Sequence, residues 1–217
     1  NMKKYLLLLS AIFTFSFSFS QISAGQDDTI CGGSATLTAT LSSVSPINVT
    51  LGDDQFTGTI NIGFPFTFYG NTYTQCLISS NNYISFDLTN AGGYSPWSIP
   101  GPVPSAGNPL NTTMGPWQDI NPGISGTVRY ALVGTSPNQI FVVEYCDVPM
   151  FSCTNLNFSS QIQLHENGNV VETQIINKPL CTGWNGGQAI HAMHNSDGTL
   201  ADVYAGRNAP TQWNSKS

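Results

Sequence analysis

Charge is what this sequence has least of. Charged side chains make up 8% of its 217 residues, with 12 acids against 6 lysines and arginines and a net charge of −6. An acidic chain with no basic cluster lacks the electrostatic footprint of a nucleic-acid binder, or of a protein drawn to anionic membrane surfaces. Sustained 3.6-residue apolar periodicity is also missing, which excludes a helical architecture. So are the G-x-S-x-G, H-E-x-x-H, phosphate-loop and dinucleotide signatures of common enzyme classes. C-x-x-C is absent and no histidine spacing matches it, so the five cysteines read as disulfide formers rather than metal ligands.

What the chain does have is apolar area in short alternating runs. Hydrophobic residues total 40%, enough for a core at a length where a domain buries roughly 70% of its unfolded surface. Met2-Lys3-Lys4 and the apolar stretch Tyr5 to Phe19 read as a signal peptide, residues 1–24, with small residues before cleavage points at Ser20 or Ala24. The run is too short and serine-rich for a membrane span. An exported chain reaches an oxidising compartment, where disulfides persist. Residues 25–45 read as a first strand, Ser34 to Thr40, and a linker; the main domain is expected over residues 46–217.

Gly63 to Phe86 organises that domain. Phe64, Phe66 and Phe68 recur at period two, which puts three rings on one face of a strand. Gly70-Asn71 turns the chain, a second strand carries Ile78, and a polar kink at Ser79 to Asn82 leads to Tyr83–Phe86. Asn90 to Asn111, rich in Gly and Pro, is expected as a long ordered surface loop, a place where binding commonly resides. Trp97 within it and Trp117 just after it are candidates for an aromatic, partner-binding patch. Further strands are expected at 126–133, 139–148, 158–166 and 170–177. Asn167-Gly168 should form a type I′ turn, and a last hairpin should turn at Asp197-Gly198. The pattern is all-β and antiparallel, a two-sheet sandwich or jelly-roll-like domain.

The Asn167-Gly168 register brings Cys153 to within one residue of a position opposite Cys181, so Cys153–Cys181 is the favoured bridge. That leaves Cys76–Cys146, with the local pair Cys146–Cys153 as the alternative. Cys31 is left over, its partner expected in sequence beyond the present chain.

The acids of the strand region are Asp119, Glu144, Asp147 and Glu172. A glycan hydrolase would need two of them across a cleft at a set separation. Asp119, just before the Pro122-Gly123 loop, is the calcium candidate, although no spaced Asp/Asn calcium loop is visible. His191 and His194 sit three apart, on opposite faces of a strand, which argues against joint metal ligation. Arg207 is expected to pair with a carboxylate. No catalytic residue and no cofactor other than calcium is expected.

The run FPF-x-FYG over Phe64–Gly70, and the later Ser79, Asn81, Ile84-Ser85-Phe86 strand ending, resemble the extracellular domain first named for nidogen. Met114–Ile120, Gly126–Tyr130, Phe141–Tyr145, Val148–Cys153, Asn177–Cys181 and Gly206–Asn208 follow in order, so the resemblance covers about Thr59 to the end. It is similar in particular to bacterial members: cell-surface proteins of gliding bacteria exported by type IX secretion. Thr29 to Ala39 resembles the opening of an immunoglobulin-like module. The resemblance implies one more strand beyond Ser217, and hence a truncated domain with further modules downstream. It also implies a non-catalytic extracellular interaction or adhesion module, binding a protein or glycan surface. The alternative is a secreted polysaccharide-binding or glycan-hydrolysing protein that uses the Trp97/Trp117 loop and the strand carboxylates.

Overall fold

The computed structural model describes residues 45–215. The leader, the 34–40 strand and Cys31 lie outside them. Two antiparallel sheets face each other. One runs in the order β1 (Ile47–Val49), β6 (Thr127–Val133), β7 (Ile140–Met150), β8 (Cys153–His165) and β9 (Val171–Asn177). The other runs β11 (Ala201–Val203), β10 (Ile190–His194), β5 (Thr112–Trp117), β4 (Tyr83–Ser85), β3 (Asn71–Ile78) and β2 (Ile60–Phe68). The fold is therefore an all-β sandwich, and no described helix is long and apolar enough to cross a membrane.

β2 shows why this sequence makes a strand here. Burial alternates strictly along it, with Ile60, Ile62, Phe64, Phe66 and Phe68 inward. Pro65 points outward on an edge strand, where its missing N–H breaks no ladder that an inner strand would need. Phe66, Phe68 and Tyr73 all pack on Phe86, at ring separations of 5.8, 4.7 and 4.9 Å. The opposing sheet contributes Phe141, Val143, Tyr145, Ile162 and Leu164 to the same core.

A second core lies on the other side of the six-stranded sheet. Phe56, Leu77, Tyr83, Met114, Trp117 and Ile190 are covered there by Ile99 and Val103. The Gly/Pro-rich segment between β4 and β5 is thus a cover, not only a surface loop. It explains why every residue of β4 and β5 is buried.

The polar kink at Ser79–Asn82 is fully buried, and its groups are satisfied across both sheets. Tyr145 donates to the Ser79 carbonyl at 2.6 Å, Asn82 Nδ2 to the Pro116 carbonyl at 2.8 Å, and Ser160 to Asn82 Oδ1 at 3.0 Å. Paired in this way, buried polar atoms avoid the desolvation cost of an unmade hydrogen bond.

Two expectations need correction. The β8–β9 connection keeps the expected register, with Leu164 opposite Val171, but it is not a two-residue type I′ turn. Residues 166–169 bulge between His165 and Val170, and the left-handed residues are Gly168 and Asn169. The cause is outside the hairpin. Glu166 accepts from Ser136 and from the Gln139 amide, and Asn169 Oδ1 accepts from the Thr67 amide at 2.7 Å.

The second correction concerns cysteine. Cys153–Cys181 forms as expected, but Cys76–Cys146 does not. Cys76 is a buried free thiol, and Cys146 is disulfide-bonded to another partner. β3 and β7 belong to opposite sheets, so the two residues are not ladder neighbours. The alternative Cys146–Cys153 is excluded by the same bridge at Cys181.

Candidate functional site

Four segments converge around Asp119. The Asp53-Asp54 turn precedes Phe56, the Ser79–Asn82 kink lies beneath it, Asp119 follows β5, and Trp184 arrives on the loop after Cys181. Asn81 joins the first three. Its Nδ2 donates to Asp54 Oδ1 at 2.9 Å, and its Oδ1 accepts from the Ile120 amide at 3.2 Å. Trp184 Nε1 donates to Asp119 Oδ2 at 2.7 Å, while the Phe151 amide donates to the Asp119 carbonyl at 3.1 Å.

One carboxylate oxygen from each of Asp53, Asp54 and Asp119 lies within 4.8 Å of the other two. Burial pushes the Asp119 carboxyl up to about 7; Trp184 partly offsets this, and the carboxylates of Asp54 and Asp53 add to it. Asp53 and Asp54 are also raised, chiefly by burial. Asp119, the calcium candidate, is thus gathered with two other acids, which sequence reading did not single out. The signal was an adjacent Asp53-Asp54 pair in a chain with little charge.

An aromatic group borders the acids. Trp97 stacks on Trp184 at 5.4 Å and 28°, and Phe151 packs on the same ring at 4.9 Å. All three are half-buried, and Tyr94 nearby is exposed. The expected Trp97/Trp117 patch is therefore corrected to Trp97/Trp184. Trp117 is wholly buried in the second core, with Nε1 donating to the Pro96 carbonyl at 3.0 Å.

The other candidate acids do not meet. Glu144 is bound by Arg129 and accepts from Gln161 Nε2 at 3.1 Å. Asp147 accepts from Ser159 at 3.3 Å, and Glu172 lies 3.2 Å from His165. A separate groove of about 330 Å³ between β9 and the β10–β11 hairpin is lined by Thr173, Met193, Asp202 and Tyr204, among others. Its acid, Asp202, accepts from Tyr69 at 2.7 Å.

Arg207 is corrected as well. Its guanidinium packs over Tyr204 and Trp213, at 4.2 and 4.4 Å, instead of pairing with a carboxylate. His191 and His194 do point to opposite faces. His194 Nδ1 lies 2.8 Å from the Pro109 carbonyl, while His191 stacks on Tyr204 beside Arg207. Burial, then the Arg207 charge, lowers His191 to about 4. In the unfolded chain a histidine titrates near 6.5, so between these values the unfolded state binds the extra proton. Stability should therefore fall as pH drops from about 6.5 towards 4, by up to ~1.4 kcal/mol per unit for this one proton. Urea melts across that range should show a flatter profile for His191→Gln; an unchanged slope would remove His191 as the cause.

The family described as NIDO related matches residues 31–216, nearly the whole chain. No curated protein and no solved structure matches it.

Proposed function

The chain belongs to the NIDO-related family, and from that premise we propose that it works outside the cell as a non-catalytic interaction module of a larger secreted surface protein. The observation that carries the reading is the family match over a disulfide-bonded sandwich in which a cluster of half-buried aromatic rings, Trp97, Trp184 and Phe151, adjoins an acidic patch. Aromatic rings with polar surroundings are the usual anchors of interaction surfaces. Three of the four strand-region acids support a non-catalytic role, because Glu144, Asp147 and Glu172 are each held in a structural contact, while Asp119 belongs to the acidic patch. Export by a type IX route in a gliding bacterium is part of the same reading, supported by the order of sequence blocks from Phe64 to Asn208. The partner is a protein or glycan surface.

The secreted polysaccharide-binding reading shares the same rings, since carbohydrate can stack on tryptophan. One experiment separates the outcomes. The purified chain is screened for saturable binding to immobilised extracellular proteins and polysaccharides, alongside Trp97→Ala. We expect binding that Trp97→Ala weakens roughly tenfold or more, as loss of a central aromatic anchor does, with no new sugar ends released. Release of reducing ends from any polysaccharide would overturn the non-catalytic reading, and unchanged binding by Trp97→Ala would move the surface elsewhere.

A further inference from the structure

We propose that Asp53, Asp54 and Asp119 form a divalent-cation site of the calcium class. Their oxygens are already gathered, with one from each carboxylate within 4.8 Å of the other two. Two oxygens on opposite sides of one calcium ion stand up to about 5 Å apart, but on magnesium no more than about 4.2 Å apart. Calcium's longer and more flexible coordination, at about 2.3–2.6 Å, accommodates oxygens gathered this loosely more readily than magnesium's near-ideal octahedron at about 2.0–2.1 Å. The donors are all hard carboxylate oxygens, with no Cys or His to select a softer metal.

The cluster alone would say little. Asp119 adds an independent observation: it is only 6% exposed, and its Oδ1 has no hydrogen-bond partner. A buried carboxylate oxygen facing no donor carries a desolvation cost that nothing in the protein offsets. The neighbours at hand are two more acids, which make that cost larger. A cation satisfies Oδ1 and removes the repulsion together.

The supporting contacts also fit. Asp119 Oδ2 accepts from Trp184 and Asp54 Oδ1 from Asn81, so two ligands are oriented by outer hydrogen bonds. Asp53 is exposed, which leaves an entry path and room for the waters that complete six to eight calcium ligands. Occupancy would also fix Trp184, and with it the ring that Trp97 and Phe151 pack on. The site does not depend on the adhesive reading, because an ion is detected without any partner.

The test uses the purified chain stripped with chelator, then titrated separately with calcium and magnesium chloride. Thermal unfolding, tryptophan fluorescence and calorimetric stoichiometry are recorded. At tenfold over Kd, calcium should raise Tm by roughly 3–6 °C, bind one ion per chain and change the tryptophan signal. Magnesium should need at least about tenfold more ion for the same shift, given its tighter geometry. The double variant Asp53→Asn/Asp54→Asn lies on the surface turn and should fold, yet lose the calcium shift. Asp119→Asn should lose it too. No shift at about 10 mM calcium, tenfold above the weakest Kd usual for extracellular modules, overturns the site. A shift that survives the double variant places the ion elsewhere and overturns it equally. Equal response to magnesium overturns the assignment to calcium.

Discussion

Trp117→Ala should cost about 3–5 kcal/mol of folding stability, the range for truncating a buried tryptophan. The ring is fully buried at the end of β5. It packs edge-on to Tyr83 at 6.1 Å, within the second core that Ile99 and Val103 close. Truncation leaves a cavity under that cover and takes from the Pro96 carbonyl its 3.0 Å indole donor, leaving it the longer 3.4 Å bond from Asn81 Nδ2. The covering segment then loses its anchor along with its packing. Urea unfolding measures the loss, and refilling the site by Trp117→Phe should restore part of it. A variant within about 1 kcal/mol of the parent, well below the usual cost of such a cavity, would show that Trp117 is not core. The contrast with Trp97→Ala is informative, because Trp97 is half-exposed and should affect binding more than folding.

The two tryptophans show what sequence could and could not reveal. The sandwich was legible because β2 writes its burial in period two, from Ile60 to Phe68, with the proline on the outward side. Asp197-Gly198 and Asn167-Gly168 marked real chain reversals. The second kept its register although its loop conformation differed, since register follows the hydrophobic face while the loop answers to Thr67 and Gln139.

The cover was not legible. Ile99 and Val103 sit among prolines with no period to reveal them, and their burial comes from the sheet they lie on. Trp117 was misplaced for the same reason, since its exposure is decided by a segment that pairs with no strand there. Cys76 was misassigned because linear order does not say which sheet a strand joins. The acid site escaped for a related cause. Asp119 was visible as a turn acid, but Asp53 and Asp54 are far from it in sequence, and only the fold brings the three within reach of one ion.

Removing the Cys153–Cys181 bridge should be the second large effect. The bonded residues are 28 apart, and closing a loop of that size restricts the unfolded chain by roughly 3–4 kcal/mol. Its position makes the consequence local as well as global. Cys153 opens β8, two residues after Phe151, and Cys181 lies three residues before Trp184. The bridge therefore joins the two segments that carry the rings packed beside Asp119. Cys153→Ala/Cys181→Ala should lower stability by that amount and also weaken the coupling between Trp184 and Asp119, read as a smaller calcium-dependent change in tryptophan fluorescence. The double variant is the correct probe. Reductant would also open the bond at Cys146, which is disulfide-bonded in its own right. Single substitutions would leave an unpaired thiol, a new reactive group that the double variant avoids. Stability within about 1 kcal/mol of the parent would mean that the strand ladder already holds these segments without the crosslink. An unchanged fluorescence response would mean that Trp184 is positioned by its hydrogen bond to Asp119 and its stacking alone.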